Sequence, residues 1–345
     1  MKRDILDLPP RKLETQVADW RQARFRAGQI LEWIYKKDVR TFAEMTNLPK
    51  ALRQRFAAEF EICRPTVARR LVSKLDGSSK FVIRLFDGRL VETVLIPSER
   101  RLTLCVSTQV GCRFGCKFCA SGAGGFVRNL TAGEIVAQMM LASRAAGPAK
   151  ITHVVFMGMG EPLDNLKSTV DAALTINSEL GFNIGWRRIT VSTVGIPGTV
   201  EELIRHAPQI GLSFSLHAPN DELRERIIPA NRRFSVGSII ATARHCFRET
   251  GRLPTFEYVL IEGWNASTGH ARALVELLSG IRCKVNLIPL NPASAGDLSS
   301  PGSEQTLRFL SVLERGGVKA TIRHSRGADI IAACGQLACP GRPVA

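Results

Sequence analysis

The chain has 345 residues, 45% of them hydrophobic, enough to bury a full core in one large globular domain plus a smaller appendage. No run of about twenty apolar residues is present and the N-terminus lacks the apolar core of a signal peptide, which excludes a membrane-spanning or secreted reading and predicts a cytoplasmic protein with no membrane partner. The formal charge of +16 predicts a polyanionic partner, nucleic acid first, although high charge also serves solubility; only 6% aromatic residues argues against stacking many bases in succession.

The first sixty or so residues read as helical and polar. Phe25 to Lys37 sets Ile30, Trp33, Ile34 and Lys37 at helical spacing, and a second helix is expected from Pro49 to Phe60. These helices either grip a phosphate backbone or simply pack on their neighbours. From Arg70 to Ile96 the period changes to two, with Asp76-Gly77 and Asp87-Gly88 as turn signals, so an antiparallel β-meander is predicted.

Beyond Arg100, apolar runs alternate with helical stretches at Leu102 to Ser107, His153 to Met157, Ile189 to Ser192, Leu212 to Leu216, Phe256 to Ile261, Val285 to Ile288 and Ala320 to Arg323. That alternation predicts an α/β fold whose parallel strands form a full or partial (β/α) barrel, with functional residues at the strands' C-terminal ends. Gly158 to Glu161, Ser192 and His217 all fall where a predicted strand finishes.

Nine cysteines in a cytosolic chain are not expected to form a disulfide framework, and three of them, Cys112, Cys116 and Cys119, make a CxxxCxxC cluster. Three thiolates can hold three irons of a 4Fe–4S cube and leave the fourth open to an amino acid's amine and carboxylate. The rival is structural zinc, which requires four closed protein ligands, and no Cys or His pair follows at finger-like spacing. Cys105 and Cys334 read alone as buried core cysteine and as ambiguous, and Glu92 as an exposed strand carboxylate.

The triad after a first barrel strand resembles the signature of the radical S-adenosylmethionine superfamily. Phe156 to Pro162 (FMGMGEP), Ile189 to Gly195 (ITVSTVG), Ser213 to Asn220 (SFSLHAPN), Val285 to Pro292 (VNLIPLNP) and Asp329 to Leu337 (DIIAACGQL) narrow the resemblance, over nearly the whole chain, to the bacterial ribosomal and transfer RNA adenine-C2 methyltransferases and their carbon-8 resistance relatives. The resemblance implies a helical accessory domain that helps bind RNA (1–63), a meander carrying the general base (64–97), and a partial barrel of radical S-adenosylmethionine type ending in a methyl-carrier cysteine loop (98–345). It implies one 4Fe–4S cluster on Cys112, Cys116 and Cys119, and two S-adenosylmethionine molecules per turnover, contacted by Gly160, Glu161, Ser192, Ser215, Leu216, His217 and Asn291.

In that family the first cofactor molecule methylates the cysteine at the position of Cys334. A radical from the second activates this methyl, whose carbon adds to adenine C2, a centre that no methyl cation donor can attack. The base at the position of Glu92 removes the ring proton, and the cysteine at the position of Cys105 forms a transient disulfide with Cys334. The implied partners are 23S ribosomal RNA at the peptidyl-transferase loop, the transfer RNA anticodon loop and an electron donor such as flavodoxin, acting on a monomer. Cys63, Cys246, Cys283 and Cys339 match no functional position and are read as structural. Ile331 departs from the pattern, standing where relatives often carry an acidic residue, and so does Cys339 close behind Cys334. Carbon-8 methylation, a non-catalytic RNA-binding protein with structural metal, and a radical enzyme acting on a small molecule or a protein glycyl radical remain the alternatives.

Overall fold

A computed structural model describes residues 2–291 and 297–338. Cys339 and Pro292 therefore lie outside the described residues.

At the N-terminus a two-residue strand β1 (Arg3–Asp4) pairs in parallel with β2 (Phe60–Glu61), closing a helical unit made of α1 (Pro10–Asp19), α2 (Phe25–Tyr35) and α3 (Lys50–Glu59). Each helix buries one stripe: Leu13 and Val17, then Ile30, Leu31 and Ile34, then Leu52 and Phe56, around Phe42 and Phe60. This apolar cluster is distinct from the main core but meets it at Met140, Tyr35 and Phe182, so these helices pack on one another and on their neighbours. Lys37, at the end of the α2 pattern, lies over the Trp33 ring at 3.8 Å. The unit is pinned to the rest by Lys12 against Asp171 at 2.8 Å and by the Asp7 carboxylate, which accepts the Gly133 N–H at 2.7 Å.

The remaining chain builds one ten-stranded sheet. Strands β3 (Thr66–Val72), β4 (Ser79–Arg84), β5 (Leu90–Ser98) and β6 (Arg101–Cys105) run antiparallel in chain order. Their tight turns are those expected, with Gly77 and Gly88 at φ +74° and +80°, a region only glycine enters at no steric cost. The sheet continues from β6 through β9 (His153–Phe156), β10 (Ile189–Thr193), β11 (Gly211–Ser215), β12 (Thr255–Leu260), β13 (Lys284–Pro289) and β14 (Ala320–Ile322), all parallel.

All seven predicted apolar runs are these parallel strands. One face is packed under the helices, where Val154, Phe156, Val191, Phe214, Phe256 and Leu287 are buried, while burial alternates along β9 and β10 because their other face turns to the mouth side. Helices α5 (Ala132–Ala145), α6 (Leu166–Asn177), α7 (Thr199–His206), α9 (Val236–Thr250), α10 (Thr268–Leu277) and α11 (Ser303–Arg315) supply the crossovers. The strand order starts at β14 and ends at β3 without closing, which makes the barrel partial.

Between β6 and α5, β7 (Gln109–Gly111) and β8 (Phe126–Asn129) form a small hairpin that brackets the cysteine loop and the single turn α4 (Ala120–Ala123). Gly111 has φ +75°, and a Cβ there would lie 1.8 Å from the Gly125 carbonyl oxygen. Gly111→Ala is therefore expected to cost about 3 kcal/mol or more, seen as a lower Tm together with lost iron incorporation. Wild-type values for both would contradict this reading of the bracket.

Candidate active site

The mouth of the sheet is defined by parallel-strand ends. Cys105 is the last residue of β6; the cysteine loop follows it; Gly158 to Glu161 follow β9; Ser192 is the penultimate residue of β10; Ser215 ends β11 and His217 lies just beyond; Asn291 follows β13; and Cys334 follows β14. Glu92 reaches the same end although its strand is antiparallel. Val94 pairs with Cys105, so Glu92 lies beyond the β6 end, where its carbonyl accepts the Ser107 hydroxyl at 2.5 Å.

The cysteine loop is held by backbone hydrogen bonds from Cys112 to Gly125 at 3.1 Å and from Lys117 to Ile227 at 2.9 Å. All three thiols are free and partly buried. Burial pushes Cys112 up to about 12 and raises Cys116 well above the ordinary thiol range, and each is raised further by its cysteine neighbours. Among the described residues no three His, Cys, Asp or Glu side chains converge tightly enough to hold a single metal ion. The fit to an iron–sulfur cube thus rests on the donor set: three mutually coupled thiols on one loop, each more acidic once bound to iron.

The loop carrying Cys334 is stitched onto that loop. Ala120 N–H donates to the Gly335 carbonyl at 2.8 Å, and the Ser121 hydroxyl to the Leu337 carbonyl at 2.5 Å. Gly335 has φ +82°, and a Cβ there would meet the Phe118 carbonyl at 2.8 Å. Cys334 is exposed as a residue, yet desolvation raises its thiol to about 11, with Glu257 adding to the rise and Arg323 opposing it. Cys105 is buried, and its thiol is raised strongly, first by burial and then by Cys334. The fold therefore packs the Cys334 loop against the cysteine loop and brings Cys334 within electrostatic range of Cys105.

The other predicted residues converge on the same mouth. His217 is buried at φ +59°, its Nδ1 accepts the Val259 N–H at 2.9 Å, and its proton therefore sits on Nε2. Burial, then Arg224, lowers its pKa to about 3, so the ring is neutral. Asn291 donates to the Cys334 carbonyl at 3.0 Å. A cavity of about 40 Å³ is lined by Phe118, His217, Leu290, Asn291 and Cys334. Leu216 is fully buried. Glu161 differs from the simple picture of a carboxylate waiting for an ammonium: its oxygens accept the Leu163 N–H at 3.0 Å and the Val194 N–H at 2.9 Å, and burial raises its pKa to about 7. Gly160, at φ +98°, is packed so tightly that a Cβ would meet Gln109 at 2.5 Å.

Three further site residues were not singled out from the sequence. Arg224 is completely buried and donates to the carbonyls of Val194, Ser215, Leu216 and Phe234 and to the Asn231 side chain, at 2.6 to 3.1 Å, clamping the ends of β10 and β11. Desolvation lowers its pKa to about 10, and Cys116 is its leading electrostatic partner. Glu257 on β12 accepts from Ser213 and Asn286 at 2.9 Å below Cys334. Lys80 on β4 forms a 3.0 Å ion pair with Glu92. A parity count along the meander would have found Lys80, because Val82 opposes Glu92 and residues two apart share a face.

Of the remaining cysteines, Cys246 is in the main core, Cys283 packs against it, and the Cys63 N–H donates to Asp4 at 3.3 Å. No helix among the described residues is long and apolar enough to cross a membrane.

Residues 3–62 match the family described as ribosomal RNA large subunit methyltransferase N-terminal domain, and residues 106–271 match the radical SAM superfamily. The chain is 44% identical over 335 residues to a probable dual-specificity RNA methyltransferase RlmN of Thermotoga neapolitana, covering 97% of both chains. It is 44% identical over 346 residues to the dual-specificity RNA methyltransferase RlmN of Marinobacter nauticus, covering 97% of this chain and 92% of that one. The crystal structure of a radical SAM methyltransferase from Sphaerobacter thermophilus superposes with a TM-score of 0.90 at 45% identity, over 97% of this chain and 99% of that one. A 4Fe–4S cluster and S-adenosylmethionine are the cofactors this superfamily implies. With the CxxxCxxC loop at a parallel-strand mouth and end-to-end relatives of one kind, the chain belongs to the dual-specificity RNA methyltransferases of the radical SAM superfamily.

Proposed function

We propose that the protein methylates carbon-2 of an adenine in the peptidyl-transferase loop of 23S ribosomal RNA and of an adenine in the transfer RNA anticodon loop, using two S-adenosylmethionine molecules per turnover. The observation that carries this reading is that the Cys334 loop is hydrogen-bonded onto the cysteine loop at the strand-end mouth where Cys105 closes β6.

When bound on Cys112, Cys116 and Cys119, one 4Fe–4S cluster supplies the electron that cleaves S-adenosylmethionine. Gly160, Glu161, Ser192, Ser215, Leu216, His217 and Asn291 contact that cofactor. Neutral His217 offers it a fixed N–H rather than a charge, and Asn291 ties the cofactor side of the mouth to the Cys334 backbone. Cys334 receives the first methyl group as a thioether, and the carbon of that group becomes the link to the adenine ring.

Glu92 accepts the ring proton. Burial raises its pKa and Lys80 opposes the rise, which suits a carboxylate to that task. The Cys105 sulfur then attacks the Cys334 sulfur. An S–S bond forms, the S–C bond breaks, and its electron pair stays with the carbon, which takes up a proton to become the methyl of the product; the unpaired electron left by radical addition would return to the oxidised cluster that had given one up. External reductant restores both thiols, and flavodoxin is the proposed electron donor for cofactor cleavage. The enzyme acts as a cytoplasmic monomer, with 1–63 as an accessory RNA-binding unit, 64–97 carrying the base and 98–345 carrying cluster and methyl carrier.

Unmethylated ribosomal and transfer RNA, incubated anaerobically with enzyme, reductant and methyl-labelled cofactor and then digested to nucleosides, is expected to yield labelled 2-methyladenosine from both. Label at 8-methyladenosine would overturn the carbon-2 reading, and label from ribosomal RNA alone would overturn the dual substrate.

A further inference from the structure

Lys80 and Glu92 form an ion pair in which both side chains are only 7% exposed, with Nζ and Oε1 3.0 Å apart. Each partner also holds one arm of the loop that carries Cys334. Lys80 Nζ donates to the Ile331 carbonyl at 2.8 Å, three residues before the cysteine. Glu92 Oε2 accepts the Ala338 N–H at 3.1 Å, four residues after it. Ile331 sits at φ +53°, a left-handed conformation that a β-branched residue rarely adopts, so its carbonyl direction needs an outside hold.

The hairpin from which Lys80 springs grips the same segment again. The Asp76 carboxylate accepts the Gly327 N–H at 2.8 Å, and Asp329 accepts the Ser73 hydroxyl at 2.7 Å and the Lys74 N–H at 3.0 Å. Lys80, Glu92, Arg69 and Ile331 all line one open cavity of about 530 Å³ beside the pair.

From this geometry we infer that Lys80 is a positioning residue for the second half of the reaction: it fixes the Glu92 carboxylate relative to the Cys334 loop, so that proton acceptor and methyl carrier meet the adenine in register. The inference rests on the reading of Glu92 as proton acceptor. A base must stand within hydrogen-bond reach of the proton it takes, and a carboxylate with one oxygen on Lys80 and the other on Ala338 has its direction set by both.

The test uses full-length reconstituted enzyme as Lys80→Met, Lys80→Arg, Glu92→Gln and the double variant Lys80→Met/Glu92→Gln, the last removing both charges so that no buried carboxylate is left unpaired. Two quantities are read: Cys334 methylation by peptide mass spectrometry without RNA, and RNA turnover with denaturing gels for RNA bound covalently to protein. Lys80→Met is expected to methylate Cys334 within about twofold of wild type while turnover falls about 10²-fold and the covalent species accumulates. Lys80→Arg is expected to recover part of that loss, and the double variant to be no slower than Glu92→Gln.

Equal losses of Cys334 methylation and turnover in Lys80→Met would overturn the inference in favour of plain loop support, as would wild-type turnover. Wild-type turnover in Glu92→Gln would instead overturn the proton-acceptor reading itself. A double variant slower than Glu92→Gln by a further tenfold would show Lys80 acting apart from Glu92, and would also defeat the inference.

Discussion

Cys105→Ala enzyme is expected to stall with RNA attached to the protein through the carbon on Cys334, its turnover reduced by about 10³-fold or more. The substitution removes one buried sulfur at the end of β6 and leaves an alanine in an apolar wall, so the fold and the cysteine loop should persist. Everything up to the adduct uses Cys334 and the cofactor site, neither of which contacts the Cys105 side chain through a hydrogen bond that the alanine would break. Release alone needs a second sulfur beside Cys334, and among the described residues Cys105 is the cysteine whose thiol is raised by Cys334. Denaturing gels of end-labelled RNA should show a protein-dependent, nuclease-sensitive slow band for Cys105→Ala that disappears in Cys105→Ala/Cys334→Ala. A freely turning-over Cys105→Ala enzyme, or a stalled one without the band, would sink the disulfide step.

The second large effect concerns the triad. Cys116→Ala is expected to lower bound iron and sulfide from about four of each per chain to near zero after anaerobic reconstitution, with no reductive cleavage of S-adenosylmethionine. Cys116 is desolvated beside Cys112, Cys119 and the Arg224 guanidinium, so no outside donor can take its place easily. Circular dichroism and Tm close to those of the metal-free parent would separate loss of the cluster from loss of the fold. Full iron with undiminished cofactor cleavage in Cys116→Ala would remove the basis for the triad as ligand set, and preferential binding of zinc by the parent would do the same.

The two experiments also divide the chemistry. A cluster variant fails before any methyl group is activated, whereas Cys105→Ala fails after carbon joins carbon. Both place Cys334 at the centre, a residue that is exposed at the mouth but held from two sides, by the cysteine loop through Gly335 and Leu337 and by the meander through Ile331 and Ala338.

Periodicity along the chain carried much of the fold. The seven parallel strands, the two glycine turns of the meander and the buried stripes of α2 and α3 are set by apolar spacing and by Asp-Gly pairs, which act over a few residues and so can be read in order. The CxxxCxxC spacing was legible for the same reason: its donors share one loop. Family motifs carried the assignment of Cys105, Cys334 and Glu92, which as isolated residues looked like a core cysteine, an ambiguous cysteine and an exposed glutamate. Only the tertiary structure decided that Glu92 is buried against Lys80, that Arg224 spends its donors on three strand-end carbonyls, the Phe234 carbonyl and Asn231, and that Glu161 is capped from within by Leu163 and Val194. Those facts depend on sheet register and on loops meeting from distant parts of the chain, and a polar side chain's partner there is chosen by the desolvation it must offset rather than by its neighbours in sequence.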